Sequence, residues 1–373
     1  MKVAFRVDAS LQAGSGHVMR CLTLADALAA QGAQCHFISR ELAGNLLALI
    51  QQRGYVVGVL PPPAEPTQVS ALEDNKNDSV SRTVYEGWLG IPFKKDAEQT
   101  RAILENLQPD WLVVDHYALD QRWEAALRPH YKKLLVIDDL ADRPHQCDVL
   151  LDQNLGRQPQ DYANLVPAQC QLLIGPQYAL LRPEFAALRA YSLQRRQQPV
   201  LKQVLITMGG VDQPNATGQV LQALKGCTLP QDCRISVVMG LQAPWLPQVR
   251  AQVQDMPWPT EVLVNISDMA QRMADSDLAI GAAGSTSWER CCLGLPTLLV
   301  VLADNQRLGA KALQEAQAAH LIGDVSDIAM KLPLAINASA SHHRLQEMST
   351  ATAAITDGRG VDKVLKAMLV LND

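Results

Sequence analysis

Short, unbroken apolar runs recur along this chain, and most of them end at a glycine or an acidic residue. KVAFRV (2–7), CHFISR (35–40), DWLVVDHY (110–117) and KLLVIDDL (133–140) occupy the first half. KQVLITMGG (202–210), RISVVMG (234–240), TEVLVNI (260–266), SDLAIGAAG (276–284) and PTLLVVLA (296–303) occupy the second. A strand that is apolar on both faces belongs in a parallel sheet covered by helices on each side. The intervening segments have helical spacing: Val18, Cys21, Leu22, Ala25, Leu28 and Ala29 form one stripe that stops at Gly32, and Val220, Leu221 and Leu224 form another. The alternation predicts an α/β fold.

At 373 residues the chain is too long for one ordinary core and fits two domains of roughly 150–200 residues each. The charged, Gln-rich stretch LQRRQQPV (193–200) reads as the linker. Domains over 1–195 and 199–373 follow, each a Rossmann-like, doubly wound sheet. Ligands sit beyond the carboxyl ends of such strands, and two sheets facing each other make a cleft. The last helix, VDKVLKAMLVL (361–371), is free to pack back on the first domain. Residues 61–80 read as a proline-rich, then polar loop.

Composition excludes several classes. A hydrophobic content of 48% with 19% charged residues is that of a globular protein, and a net charge of −5 lacks the basic footprint of a nucleic-acid binder. The eight cysteines form no C-x-x-C pair, as expected of reduced thiols in the cytoplasm. The start, MKVAFRVDAS, does not read as a secretory signal, and no apolar run reaches the roughly 18–20 residues of a membrane span, so a cytoplasmic location is expected. Neither H-E-x-x-H nor a Cys/His pair at ligand spacing occurs, so no metal or other cofactor is expected. Nothing signals an extra apolar interface, and a monomer is expected.

Three stretches can carry chemistry. In AGSGHVMRC (13–21) a turn of Gly14, Ser15 and Gly16 sets His17 at a helix start, where the dipole favours the neutral ring that can take a proton. A packed or capping histidine fits the same position. In SDLAIGAAGSTSWERCCLGLP (276–296) a strand runs into the small residues Ala282, Ala283, Gly284 and Ser285, and a helix opens near Ser287. Free N–H groups there suit a diphosphate, and Glu289 in the first turn can accept from both hydroxyls of a ribose. Dipole complementation and close packing would explain these residues equally well. In TMGGVDQPNATG (207–218), Gly209 and Gly210 permit close backbone approach while Asp212 and Asn215 can cap a helix. Asp8, closing the first strand, is a candidate to orient His17; strand-end aspartates also cap helices.

GSGHVMRC (14–21) and DLAIGAAGSTSWERCCLGLP (277–296) resemble the UDP-sugar hydrolases of pseudaminic acid biosynthesis. VVDHYALDQRWE (113–124), IDDLADRPHQCDVLLDQN (137–154), GPQYALLRPEF (175–185), MGGVDQPN (208–215) and ADNQ (303–306) extend the resemblance over nearly the whole chain. That family is similar to GT-B glycosyltransferases, including the enzyme that adds N-acetylglucosamine in peptidoglycan synthesis. The resemblance implies hydrolysis of UDP-2,4-diacetamido-2,4,6-trideoxy-β-L-altropyranose with inversion at C1, a step toward glycosylation of flagellin or another surface glycan. It implies His17 as general base, with Asp115 and Tyr117 on sugar or water and Asn305 and Gln306 on sugar or phosphate. The Gly14–Ser15–Gly16 and Gly209–Gly210 turns would face substrate. Backbone N–H groups of Ala283, Gly284, Ser285 and Thr286 would bind the diphosphate, Glu289 the ribose, and main chain near Met269 the uracil. The rivals are a glycosyltransferase of the same fold, a hydrolysing UDP-sugar 2-epimerase and a non-catalytic nucleotide-sugar module.

Overall fold

The structure is a computed structural model that describes residues 1–63 and 85–371, so the loop read at 61–80 lies largely outside the described residues. The first strands and helices are β1 (Lys2–Val7), α1 (Gly16–Ala30), β2 (Gln34–Arg40), α2 (Leu47–Gln52), β3 (Val56–Leu60), α3 (Phe93–Leu107), β4 (Trp111–Asp115), α4 (Gln121–Leu127), β5 (Lys133–Ile137), β6 (Val149–Asp152) and β7 (Gln171–Ile174). They build a seven-stranded sheet in the order β3-β2-β1-β4-β5-β6-β7. Next come α5 (Pro183–Arg195), β8 (Gln203–Thr207), α6 (Ala216–Leu224), β9 (Arg234–Met239), α7 (Leu246–Gln252), β10 (Thr260–Val264), α8 (Met269–Asp275), β11 (Leu278–Ala282), α9 (Thr286–Cys292), β12 (Thr297–Val301), α10 (Arg307–Glu315), β13 (His320–Asp324), α11 (Ile328–Ser339), α12 (His342–Ala353) and α13 (Gly360–Val370). Their strands form a six-stranded sheet, β10-β9-β8-β11-β12-β13. Strands β1 to β6 pair in parallel in the first sheet, and β8 to β13 in the second. Both sheets are doubly wound as the apolar runs required: every residue of β4, β11 and β12 is buried.

Each sheet has one point where the winding reverses. In the first it lies between β1 and β4, which pair with Val7 opposite Asp115. In the second it lies between β8 and β11, with Thr207 opposite Gly281. Turns leaving adjacent strands there diverge to opposite faces and leave a crevice at the carboxyl ends.

The first sheet is pinned by a buried cluster of charges. Arg6 donates to Asp8 at 2.7 Å and through two nitrogens to Asp96 on α3 at 3.2 and 2.6 Å. Arg40 reaches Asp96 at 2.6 Å, and the indole N–H of Trp123 donates to it at 2.9 Å. Two guanidiniums and two carboxylates cancel, so the cluster avoids the large cost of an isolated buried charge. Burial alone would raise Asp8, but Arg6 and His116 hold its carboxyl well below the usual range.

The described residues divide into two compact units: 1–151 with 159–173 and the chain from Ala367, and 152–158 with 174–366. Helix α5, expected in the first domain, therefore lies in the second unit. The run read as a linker is docked by its own charges. Arg196 donates to the carbonyls of Leu293, Ser276 and Met273 at 3.1, 2.7 and 2.9 Å, and Arg195 pairs with Asp277 at 2.6 Å. Phe185 joins Trp288, Leu295 and Leu299 in a core cluster of this unit. Among the described residues no helix is long and apolar enough to cross a membrane.

Candidate functional site

In the first unit the β1–α1 turn starts with Gly14, whose φ of +75° is accessible to glycine without strain, and its N–H closes onto the Ser10 carbonyl at 2.8 Å. Ser15 occupies the N-cap without a side-chain cap, and Gly16 opens α1. This geometry drops His17 against the end of β4. Its Nδ1 lies 2.6 Å from Asp115 Oδ1. Burial alone would raise Asp115, but Arg20 and then His17 hold its carboxyl far below the usual range. An ionised carboxylate only accepts, so Nδ1 is the nitrogen that carries a proton, and the lone pair of the neutral ring falls on Nε2. Nε2 makes no hydrogen bond among the described residues, and His17 is 9% exposed.

Arg20 donates to both oxygens of Asp115, from Nε at 2.6 Å and Nη2 at 2.7 Å, and lies 2.8 Å from Asp139 Oδ2. The Tyr117 hydroxyl donates to that Asp139 oxygen at 2.8 Å. Burial and then the Asp139 charge push the Tyr117 phenol well above its ordinary value, so it stays protonated as a donor. The Tyr117 ring meets His17 edge-on at 4.7 Å. Trp88, in the short turn Glu86–Leu89, lies 5.5 Å from Tyr117 and 6.5 Å from His17, and Tyr85 lies 4.8 and 5.1 Å from Trp88 and Tyr117. The imidazole thus stands beside an aromatic wall.

Two expectations are corrected here. Asp8 does not orient His17: its Oδ1 accepts from Arg6 and from the Arg40 N–H at 2.7 Å each. Arg6 lies two residues away on the same face of β1 and claims it first. Asp115, expected on sugar or water, is fully buried behind His17 and Arg20. Tyr117 is 4% exposed with its hydroxyl engaged, which leaves ring rather than phenol as its contact surface.

In the second unit three turns leave the neighbouring strands β8, β11 and β12. Gly209 has a φ of +84°, and a side chain at Gly240 would strike the Gly210 carbonyl at 2.0 Å, so the first turn is packed backbone to backbone. Asp212 then accepts from the N–H groups of Ala216 and Thr217 at 2.8 and 2.9 Å, and Asn215 from Gly218 at 3.1 Å, capping α6. After β11 the expectation for Ala283 fails. Its N–H extends the sheet by donating to the Val300 carbonyl at 3.0 Å and is not available to a diphosphate. The N–H groups of Gly284, Ser285 and Thr286 donate to no group among the described residues. Arg290, which the sequence reading missed, sits beneath this turn. It donates to the Ala282 carbonyl at 2.7 Å and to the hydroxyls of Ser287 and Thr286 at 3.0 and 3.3 Å. Burial lowers its guanidinium to about 10.

Glu289, on the first turn of α9, accepts no hydrogen bond among the described residues; its closest cation is Arg182 Nη2 at 4.0 Å. Burial raises its carboxyl to about 7 against the pull of Arg182 and Arg290. Asn305 and Gln306 lie in the turn Asp304–Gln306 after β12. Gln306 Oε1 accepts from Leu302 N–H at 2.9 Å, and its Nε2 would lie 3.7 Å from a methyl at Gly284. Met269 opens α8 and packs partly against the Trp288 cluster.

Residues 203–363 match the glycosyltransferase family 28 C-terminal domain. A protein of Campylobacter jejuni subsp. jejuni, UDP-2,4-diacetamido-2,4,6-trideoxy-beta-L-altropyranose hydrolase, is 29% identical over 225 residues, 60% of this chain and 66% of its own. An uncharacterized protein of Methanocaldococcus jannaschii is 23% identical over 311 residues, 82% of this chain and 57% of its own. The chain thus spans less than two thirds of the length of either relative. The crystal structure of Acinetobacter baumannii MurG superposes with a TM-score of 0.70 at 19% identity, covering 99% of both chains. The fold is therefore that of the GT-B glycosyltransferases, two parallel-sheet α/β domains.

Proposed function

We propose that this chain is a UDP-sugar hydrolase that cuts UDP-2,4-diacetamido-2,4,6-trideoxy-β-L-altropyranose at C1. The observation that carries the reading is the His17–Asp115 pair, with Nδ1 committed at 2.6 Å and Nε2 unclaimed beside an aromatic wall. Nε2 takes a proton from water, the water oxygen bonds to C1, and the C1–O bond breaks with its electron pair leaving on UDP. Attack opposite the leaving group inverts C1. A positioned base of this kind contributes about 10²–10⁴ in rate. The leaving diphosphate is already acidic, with a second pKa of about 6, so the chemistry asks for no strong acid behind it. Acetamido and 6-deoxy groups offer apolar surface that suits Tyr85, Trp88 and Tyr117. The open N–H groups of Gly284, Ser285 and Thr286 would take the diphosphate, with the Gly209–Gly210 turn and the Gln306 amide beside them. Glu289 would take the ribose, and the main chain at Met269 the uracil. Asn305 would contact sugar or phosphate, and the Gly14–Ser15–Gly16 turn the sugar. The corresponding picture in the cell is a cytoplasmic monomer acting on a small molecule.

The match of 203–363 to a glycosyltransferase domain favours a second reading, transfer of the sugar to an acceptor. Incubation with the UDP-sugar in buffer alone decides between them. Steady release of UDP with free, inverted sugar supports hydrolysis. Turnover that appears only when an acceptor is added supports transfer.

A further inference from the structure

His17 and Arg20 lie one turn apart on α1 and share a face. The Arg20 guanidinium holds Asp115 by both oxygens, at 2.6 and 2.7 Å, and the same Nη2 stands 2.8 Å from Asp139. One buried cation therefore joins two arms. The first runs through Asp115 to Nδ1 of His17, and the second through Asp139 to the Tyr117 hydroxyl and so to the ring beside His17. A bidentate fork fixes the plane of a carboxylate as well as its position, which a lysine ammonium cannot do. The plane of Asp115 sets the direction of its bond to Nδ1, and that direction aims Nε2.

We infer that Arg20 is a positioning residue: it locks the His17 ring and the Tyr117 wall in one arrangement. The inference rests on the reading of His17 as base. A structural ion pair alone would hold α1 to β4 without governing which ring nitrogen carries the proton.

The test uses the full chain with ¹⁵N-histidine labelling, as wild type, Arg20→Lys and Arg20→Gln. Kinetics on the UDP-sugar and ¹⁵N spectra of His17 are read on protein whose circular dichroism is that of wild type. At metal sites, removing a residue that orients a ligating side chain costs about 10–100-fold, and the same scale is expected for one that orients a base. Arg20→Lys should lose that much in kcat with KM within about threefold, and the His17 signals should pass from the single Nδ1–H form to a mixture. Adding Arg20→Lys to Asp115→Asn should cost less than Arg20→Lys costs in wild type, because only the Asp139 arm is then left to lose. Wild-type kcat in Arg20→Lys would overturn the inference, and so would a slowed variant that keeps the single Nδ1–H form. Should the lysine variant misfold, Arg20→Gln gives the same readings under the same criteria. The ¹⁵N spectra need no substrate. A wild type inert toward UDP-sugars would sink the hydrolase reading, while the change of ring form in Arg20→Lys would still establish the positioning.

Discussion

Replacing Asp115 by asparagine isolates the one bond on which the proposed chemistry turns. In the native protein the ionised carboxylate accepts from Nδ1 of His17 and twice from Arg20. An amide has one accepting atom and one donating atom. Arg20 offers only donors and meets both oxygens of Asp115; when the amide oxygen takes the Nε side, the NH₂ faces His17. Nδ1 must then accept, the ring proton moves to Nε2, and the nitrogen meant to take a proton from water already holds one. Loss of the correct ring form at a buried Asp–His pair costs about 10⁴ in kcat. Stability should fall by about 3 kcal/mol, the low end for breaking a buried ion pair, because Arg20 keeps Asp139 at 2.8 Å. The assay is initial-rate UDP release at a temperature where the variant is folded by circular dichroism, with UDP affinity measured by calorimetry. A rate within tenfold of wild type would refute the argument, and so would a loss of UDP affinity as large as the loss of rate.

Three further outcomes follow from the geometry. His17→Ala should slow hydrolysis at least about 10²-fold and leave UDP affinity within a few-fold, read by the same two assays. Glu289 has a carboxyl raised from 4.5 to about 7 in the free protein, so the folded state holds its proton more tightly than the unfolded chain and the group's contribution to stability declines as pH climbs between those values. Ribose hydroxyls favour the ionised form. UDP binding should therefore release a proton and strengthen with pH up to about 7, beyond the trend shown by Glu289→Gln; identical pH profiles would remove Glu289 from the ribose. Gly281→Ala would set a methyl 2.4 Å from Arg290 Nη1 and 3.0 Å from the Thr207 carbonyl. The overpacking should cost about 1–3 kcal/mol in denaturant unfolding and weaken UDP binding by disturbing the turn above Arg290.

What the sequence discloses, and what it hides, follows from the range of the interactions. The doubly wound sheets are legible because burial on both faces forces continuous apolar strands, and the turns after β1, β8 and β11 are legible from small residues. His17 stands out by its place after β1, but its partner lies 98 residues away on β4, and only the pairing of Val7 with Asp115 brings the two together. Arg20 was within reach, three residues along the same helix. The displacement of Asp8 was also legible, since Arg6 is its same-face neighbour in the strand. Trp88 and Tyr85 carry no local signal, because a wall made from two separate segments, the Glu86–Leu89 turn and the end of β4, has no period. The stretch 193–200 misled because a basic, polar run looks solvated, whereas Arg195 and Arg196 bind a carboxylate and three carbonyls.

The central claim is that His17 drives water onto the sugar carbon. An NMR time course with the purified protein and the 2,4-diacetamido-trideoxy UDP-sugar in ¹⁸O water tests it most directly. The account predicts free sugar with inverted configuration and ¹⁸O at C1, and unlabelled UDP. Label on the phosphate of UDP would place the attack at phosphorus and contradict it.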